Sequence, residues 1–209
     1  MEVTTAASAT SPAGPAGPAG ETRREPIDKN RLLMYLFVAS EAFFFLALII
    51  AYVHYSREGG KLVAEARHLD LAKTSVYSVL LIASSFTMRI AEARLRRERR
   101  RSALSWLAST LVLGAVFLVG QGLEYARLVH LDVTVSRDVF GSAFFTLTGF
   151  HGFHVVVGLV VLGTILGLIA SRRFPRIERS ALECAAIYWH FVDVVWICVF
   201  TVVYLGAYL

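Results

Sequence analysis

The feature that most constrains this chain is the way its charges are distributed. They crowd into a few short stretches and leave long apolar runs between them. A charge in the middle of a bilayer costs several kcal/mol, so a membrane imposes this segregation and a soluble domain does not need it. A spanning helix requires about 20 mainly apolar residues. Five segments meet that requirement, at 32–55, 73–93, 103–125, 139–170 and 182–209. The second is the weakest, with a clean apolar core only from Val76 to Met88. The fourth would be about 48 Å long as one helix and must tilt or project. The expected fold is all-α: a bundle of five transmembrane helices over 29–209.

Residues 1–28 have a different composition. Thr, Ala, Ser, Pro and Gly dominate, and Pro-Ala-Gly recurs three times between Pro12 and Gly20. Such a segment cannot bury enough surface to offset its ordering entropy, and it lacks the apolar core of a signal peptide. It reads as a disordered cytoplasmic tail.

Orientation follows from Lys and Arg in alternate connections. Fourteen fall on the N-terminal side, in the stretches around Arg23 to Arg31, Arg94 to Arg101 and Arg172 to Arg179. Six fall on the other side, and Arg89 lies inside the second span. The N-terminus is therefore expected in the cytoplasm and the C-terminus outside. Flanked by spans, the arginine run argues for topology and not for nucleic acid. Cys184 and Cys198 lie about 21 Å apart along one helix, beyond disulfide reach.

Ionisable residues within spans are the candidates for function. Depth counted from the span ends sorts them into two levels. Glu41, His190 and Asp193 fall near the midplane toward the cytoplasm, while Glu124, His151 and His154 fall further out. His151 and His154 are spaced i, i+3 on one face, which Gly158 continues. His190 and Asp193 are spaced likewise, flanked by Trp189 and Trp196. Such pairs suit metal or haem ligation, but bundle di-metal sites repeat Glu-x-x-His on two helices, and no such repeat occurs here. Interhelical hydrogen bonding is the simpler expectation. Glu41, set among Phe43, Phe44 and Phe45, is either uncharged or faces a polar cavity or lipid headgroup. Gly149, Gly152, Gly158, Gly163 and Gly167 thin the fourth span, which is expected to sit centrally and pack closely on other spans.

Several of these residues lie in longer motifs. Ser40-Glu41 precedes Phe43-Phe44-Phe45, and Gln121-x-x-Glu124-Tyr125 follows. Phe140-Gly141-Ser142-x-Phe144-Phe145 leads to Thr148-Gly149-Phe150-His151-Gly152-x-His154-Val155, and Glu183 precedes Tyr188-Trp189-His190-Phe191-Val192-Asp193-Val194-Val195-Trp196. In this order they resemble subunit III of haem–copper oxidases, over nearly everything from Arg31 onward.

The resemblance implies a non-catalytic subunit of a respiratory terminal oxidase in a bacterial plasma membrane. It would bind no haem or metal itself, leaving haem and copper to its partners: catalytic subunit I, subunit II and a small subunit IV. It would hold phospholipid in a cleft beside Glu41 and support proton uptake, with Arg172 or Arg173 meeting lipid phosphate. Gln121, Glu124, His151, His154, Glu183, His190 and Asp193 would form an intramembrane polar network. The first two helices of the seven-helix form, which build part of that cleft, have no counterpart here. The same family serves quinol oxidases and nitric oxide reductases. A self-contained membrane metalloprotein is the reading of another class.

Overall fold

A computed structural model describes residues 29–58, 71–130, 139–172 and 175–205; side chains are described for 29–55, 71–130, 142–172 and 179–204. The tail expected at 1–28 lies outside these residues, as do Arg173's side chain and 206–209. The described residues form five helices: α1 Lys29–Glu58, α2 Leu71–Arg96, α3 Arg100–His130, α4 Val139–Ser171 and α5 Pro175–Phe200. A single π turn, Thr201–Leu205, continues α5. All five are long and apolar enough to cross a membrane. Each begins at or before its expected span, and α1, α2, α3 and α4 also run past the expected end. The polar last turns of α1, α2 and α3 suit the headgroup region, where the backbone bonds need not end with the hydrocarbon.

Helices α2 and α3 form a hairpin whose turn lies in the arginine run. Glu98 takes a left-handed conformation, φ 59°. Its amide donates to the Leu95 carbonyl at 3.0 Å, and the Arg99 amide reaches back to that of Arg94 at 2.9 Å. This is the Schellman arrangement that closes a helix, with glutamate where glycine is usual. Arg172, φ 58°, stands at the end of α4 in the same conformation.

The fifth helix, not the fourth, is the most enveloped. Half of its apolar window is buried, against a third in α2, α3 and α4 and 11% in α1. It packs on α1, α2 and α4, while α4 packs on α1, α3 and α5. α1 and α2 both pack against α5 but barely meet each other. The physical reason lies in side-chain size. A Cβ built on Gly152, Gly163 or Gly167 would meet nothing within 4 Å, so none of the described helices approaches closely there. Trp189 of α5, fully buried, enters a slot instead: a Cβ on Gly114 of α3 or Gly158 of α4 would lie 2.8 Å from its ring. A Cβ on Gly149 would have only the Tyr125 hydroxyl, 3.9 Å away.

Candidate functional site

Trp189, His190, Asp193 and Trp196 all project from α5, and all but His190 are buried. A polar group on such a side chain needs a bonding partner inside the bundle. The second helix supplies it. Trp189 Nε1 donates to Ser84 Oγ at 2.9 Å, and Trp196 Nε1 donates to Ser78 Oγ at 2.9 Å. Ser85 Oγ lies 2.9 Å from His190 Nδ1 and donates to Asp193 Oδ2. Ser78 and Ser84 pass their own protons to carbonyls of α2. The two tryptophans are seven residues apart and their partners Ser84 and Ser78 are six apart, close to two helical turns in each case, so antiparallel helices align them. Sequence reasoning missed these serines: they made span two look weak by lowering its hydropathy, and their recurrence about two turns apart was the available signal.

Glu41 meets His154, which counting from span ends had put at the other level. Its Oε2 lies 3.1 Å from His154 Nε2. Measured within its helix, Glu41 is the 13th of 30 residues and His154 the 16th of 33, so both sit near the middle. His154 Nδ1 lies 2.7 Å from the Phe150 carbonyl, an acceptor only, so this nitrogen carries a proton. Nε2 then faces the Glu41 carboxyl across the 3.1 Å contact, which joins α1 to α4. Tyr188 donates to the His154 carbonyl at 3.1 Å, and Phe45 packs edge-on to the imidazole with centroids 5.0 Å apart. Beside this pair, toward the arginine-rich end, runs an apolar groove of about 400 Å³ lined by Phe37, Val157, Val160, Ile165 and Tyr188 among others. Phe37 precedes Glu41 by one turn and Val157 follows His154 by one, so the groove continues from the pair.

His151 shares a helix face with His154 but serves a different contact. Its ring is fully buried, stacked on Trp196 at 4.8 Å and edge-on to Phe117 at 6.0 Å. Three residues correspond to about 60° of rotation, enough to direct His154 to α1 and His151 to α3 and α5.

At the arginine-rich end Glu183 is held from two sides. Arg31 bonds its Oε2 through Nε and Nη2, and Arg96 lies 3.2 Å from Oε1. Arg96 also pairs with Glu92 at 2.6 Å. These four side chains, with Arg89 and His190, line a cavity of about 410 Å³ between α1, α2 and α5. Arg172 is exposed and does not line it. At the other end Gln121 and Glu124 share a pocket of about 260 Å³ with Lys73, Thr74 and Arg127. Arg127 lies 3.6 Å from Glu124. Tyr125 donates to Thr148 at 2.5 Å nearby.

The expected single polar network is therefore several separate groups, because its members project from different helices and different turns. Among the described residues no three His, Cys, Asp or Glu side chains come together as a metal-ligating set. What the arrangement can do is hold helices in register, join Glu41 to His154, and present an apolar groove and a cationic cavity.

A family model described as cytochrome c oxidase subunit III matches residues 22–208. Cytochrome c oxidase subunit 3 of Synechocystis sp. is 38% identical over 174 residues, which cover 81% of this chain and 72% of that protein. The Corynebacterium diphtheriae protein of the same name is 35% identical over 172 residues, covering 81% and 84%. A probable quinol oxidase subunit 3 of Staphylococcus saprophyticus is 34% identical over 179 residues, covering 84% and 88%. With five spanning helices and these bacterial relatives, this is an integral protein of a bacterial plasma membrane and part of a terminal-oxidase complex. The chain belongs to the cytochrome c oxidase subunit III family.

Proposed function

We propose that this chain is the non-catalytic third subunit of a respiratory oxidase of the cytochrome c type, which steadies the catalytic subunit, retains phospholipid and sustains proton uptake. The single observation that carries the reading is the Glu41–His154 pair at the head of an apolar groove. A carboxyl and an imidazole in hydrogen-bond contact in mid-bundle can pass a proton between them, which suits a supporting part in proton uptake. A groove of about 400 Å³ fits acyl chain and not a folded partner. Haem and copper belong to subunits I and II, and Gly152, Gly163 and Gly167 leave a thin face on α4 for a neighbouring subunit's helix. The fourteen-to-six charge bias supports an arginine-rich end that faces the cytoplasm.

Glu41→Gln tests the role, because it keeps size and hydrogen bonding to His154 and removes the carboxyl. In the purified oxidase it is expected to leave assembly intact and to lower oxygen consumption modestly, mainly in prolonged turnover. Loss of essentially all initial activity in an assembled variant would make Glu41 an obligatory relay and overturn the supporting role. Wild-type behaviour throughout would reduce it to a packing contact. The resemblance to a quinol oxidase subunit 3 favours quinol as the alternative electron donor. The proteins that co-purify with the chain decide between the two.

A further inference from the structure

The cavity at the arginine-rich end contains more positive charge than it can use. Arg31, Arg89 and Arg96 face two carboxylates, Glu92 and Glu183. Both oxygens of Glu183 are taken, one by Arg31 and one by Arg96, and Glu92 is taken by Arg96. Arg89 makes no hydrogen bond or ion pair among the described residues, although it lies seven residues, about 10 Å, deeper along α2 than Arg96. A guanidinium at that depth is costly unless its head reaches water or an anion. His190 lines the same cavity from α5.

The surfaces leading out of the cavity are of the opposite character. Along α2, Phe86, Ile82 and Val79 follow Arg89 at intervals of three and four residues, so they share its face. They are 65%, 36% and 64% exposed. Along α5, Val194 and Ile197 follow His190 in the same way and are 58% and 46% exposed. Because α1 and α2 barely touch, these two strips border an open cleft floored by α5. It is cationic at the membrane surface and apolar toward the bilayer centre.

We propose that this cleft, between α1 and α2, binds an anionic phospholipid, its phosphate on Arg89 beside His190 and its acyl chains along Phe86, Ile82, Val194 and Ile197. It is separate from the groove beside Glu41 and His154, which lies across α1 and is lined by α1, α4 and α5. A guanidinium matches a phosphate with paired, charge-assisted hydrogen bonds, and the single surplus charge matches a monoanionic phosphodiester. The strips of exposed apolar side chain distinguish a lipid from inorganic phosphate, which would leave them unused.

The test uses the purified oxidase containing this chain, with retained lipid identified by native mass spectrometry and rebinding measured after delipidation. Phosphatidylglycerol is expected to rebind more tightly than phosphatidylcholine. Arg89→Gln, at an exposed and unbonded residue, should fold normally and weaken phosphatidylglycerol about tenfold. Arg101→Gln, in the arginine run but outside the cavity, should leave it unchanged. Equal loss in both variants would mean diffuse surface charge, and no loss in Arg89→Gln would remove the site; either overturns the proposal. Competition by sodium phosphate as effective as by lipid would make this a free-anion site and overturn the lipid assignment. If the chain purifies without haem, the subunit reading fails on its own account, and the same rebinding is measured on the chain itself.

Discussion

Gly158→Ala and Gly163→Ala exchange the same atoms one and a half turns apart on α4, yet they should move stability in opposite directions. At Gly158 the new Cβ would lie 2.8 Å from two ring carbons of Trp189. Ordinary carbon contacts are about 3.5–4.0 Å, so the indole must give by most of an ångström. It has nowhere to go. Its nitrogen is bonded to Ser84 at 2.9 Å, and Gly114 backs it at the same 2.8 Å on another helix. Overpacking of this kind costs about 1–3 kcal/mol, while alanine regains about 0.5–1 kcal/mol of helix propensity. The net expectation is a loss of about 1–2 kcal/mol. At Gly163 nothing lies within 4 Å, so only the gain remains. The two variants should differ by about 2 kcal/mol, roughly a thirty-fold difference in unfolding constant. Unfolding of the chain in mild detergent, followed by circular dichroism and by tryptophan fluorescence, measures this. A Gly158→Ala variant as stable as wild type would refute the slot. Within the assembled oxidase, Gly163→Ala should also weaken retention of this subunit if a neighbouring helix uses that face.

Other consequences are open to direct measurement. Ser84→Ala leaves a buried indole N–H unpaired and should cost about 1–2 kcal/mol in the same unfolding assay, whereas exposed Ser105→Ala should cost almost nothing. Glu98→Gly removes the left-handed strain of the α2–α3 turn, worth about 1 kcal/mol, and gives up only an exposed ion pair to Arg179; its unfolding midpoint should match or exceed wild type. Single cysteines at Arg100 and Asp132, with Cys184 and Cys198 replaced, should label from opposite sides of sealed cells. Labelling of both from outside would sink the five-span arrangement. His151→Ala should leave the haem content of the complex unchanged and weaken retention of this subunit, and stoichiometric haem loss would show that the imidazole had been misread.

The count of spans was legible because hydrocarbon leaves a chain few choices: the backbone must bond to itself, and the side chains must be apolar for some 20 residues. Side-chain partners were less legible for reasons that differ residue by residue. Glu41 and His154 were assigned to different levels although they meet, because helices of 30 and 33 residues do not share a common zero of depth. His151 and His154 were correctly placed on one face, but a face is wide enough to meet two different neighbours. Small-residue spacing identified Gly163 and Gly167 as readily as Gly158, since it carries no information about which helix stands opposite. Gly114 and Gly120 escaped attention because neither belongs to a G-x-x-x-G pair, although a Cβ on Gly120 would run into the ring of Tyr77. The cationic cavity draws on three helices far apart in sequence, so no local pattern announces it.

The slot that receives Trp189 also has a bearing on biogenesis. Its walls come from α2, α3 and α4, and its occupant comes from α5, which follows them in the chain. While ribosome and translocon hand over the first four helices, the slot stands open to lipid, with the Ser84 hydroxyl turned back on its own helix. Only the arrival of α5 closes it and fixes how the earlier helices sit against one another. A nascent chain stopped before Trp189 would therefore be inserted but unlatched, a form that membrane proteases could tell from the finished subunit before any oxidase assembles around it.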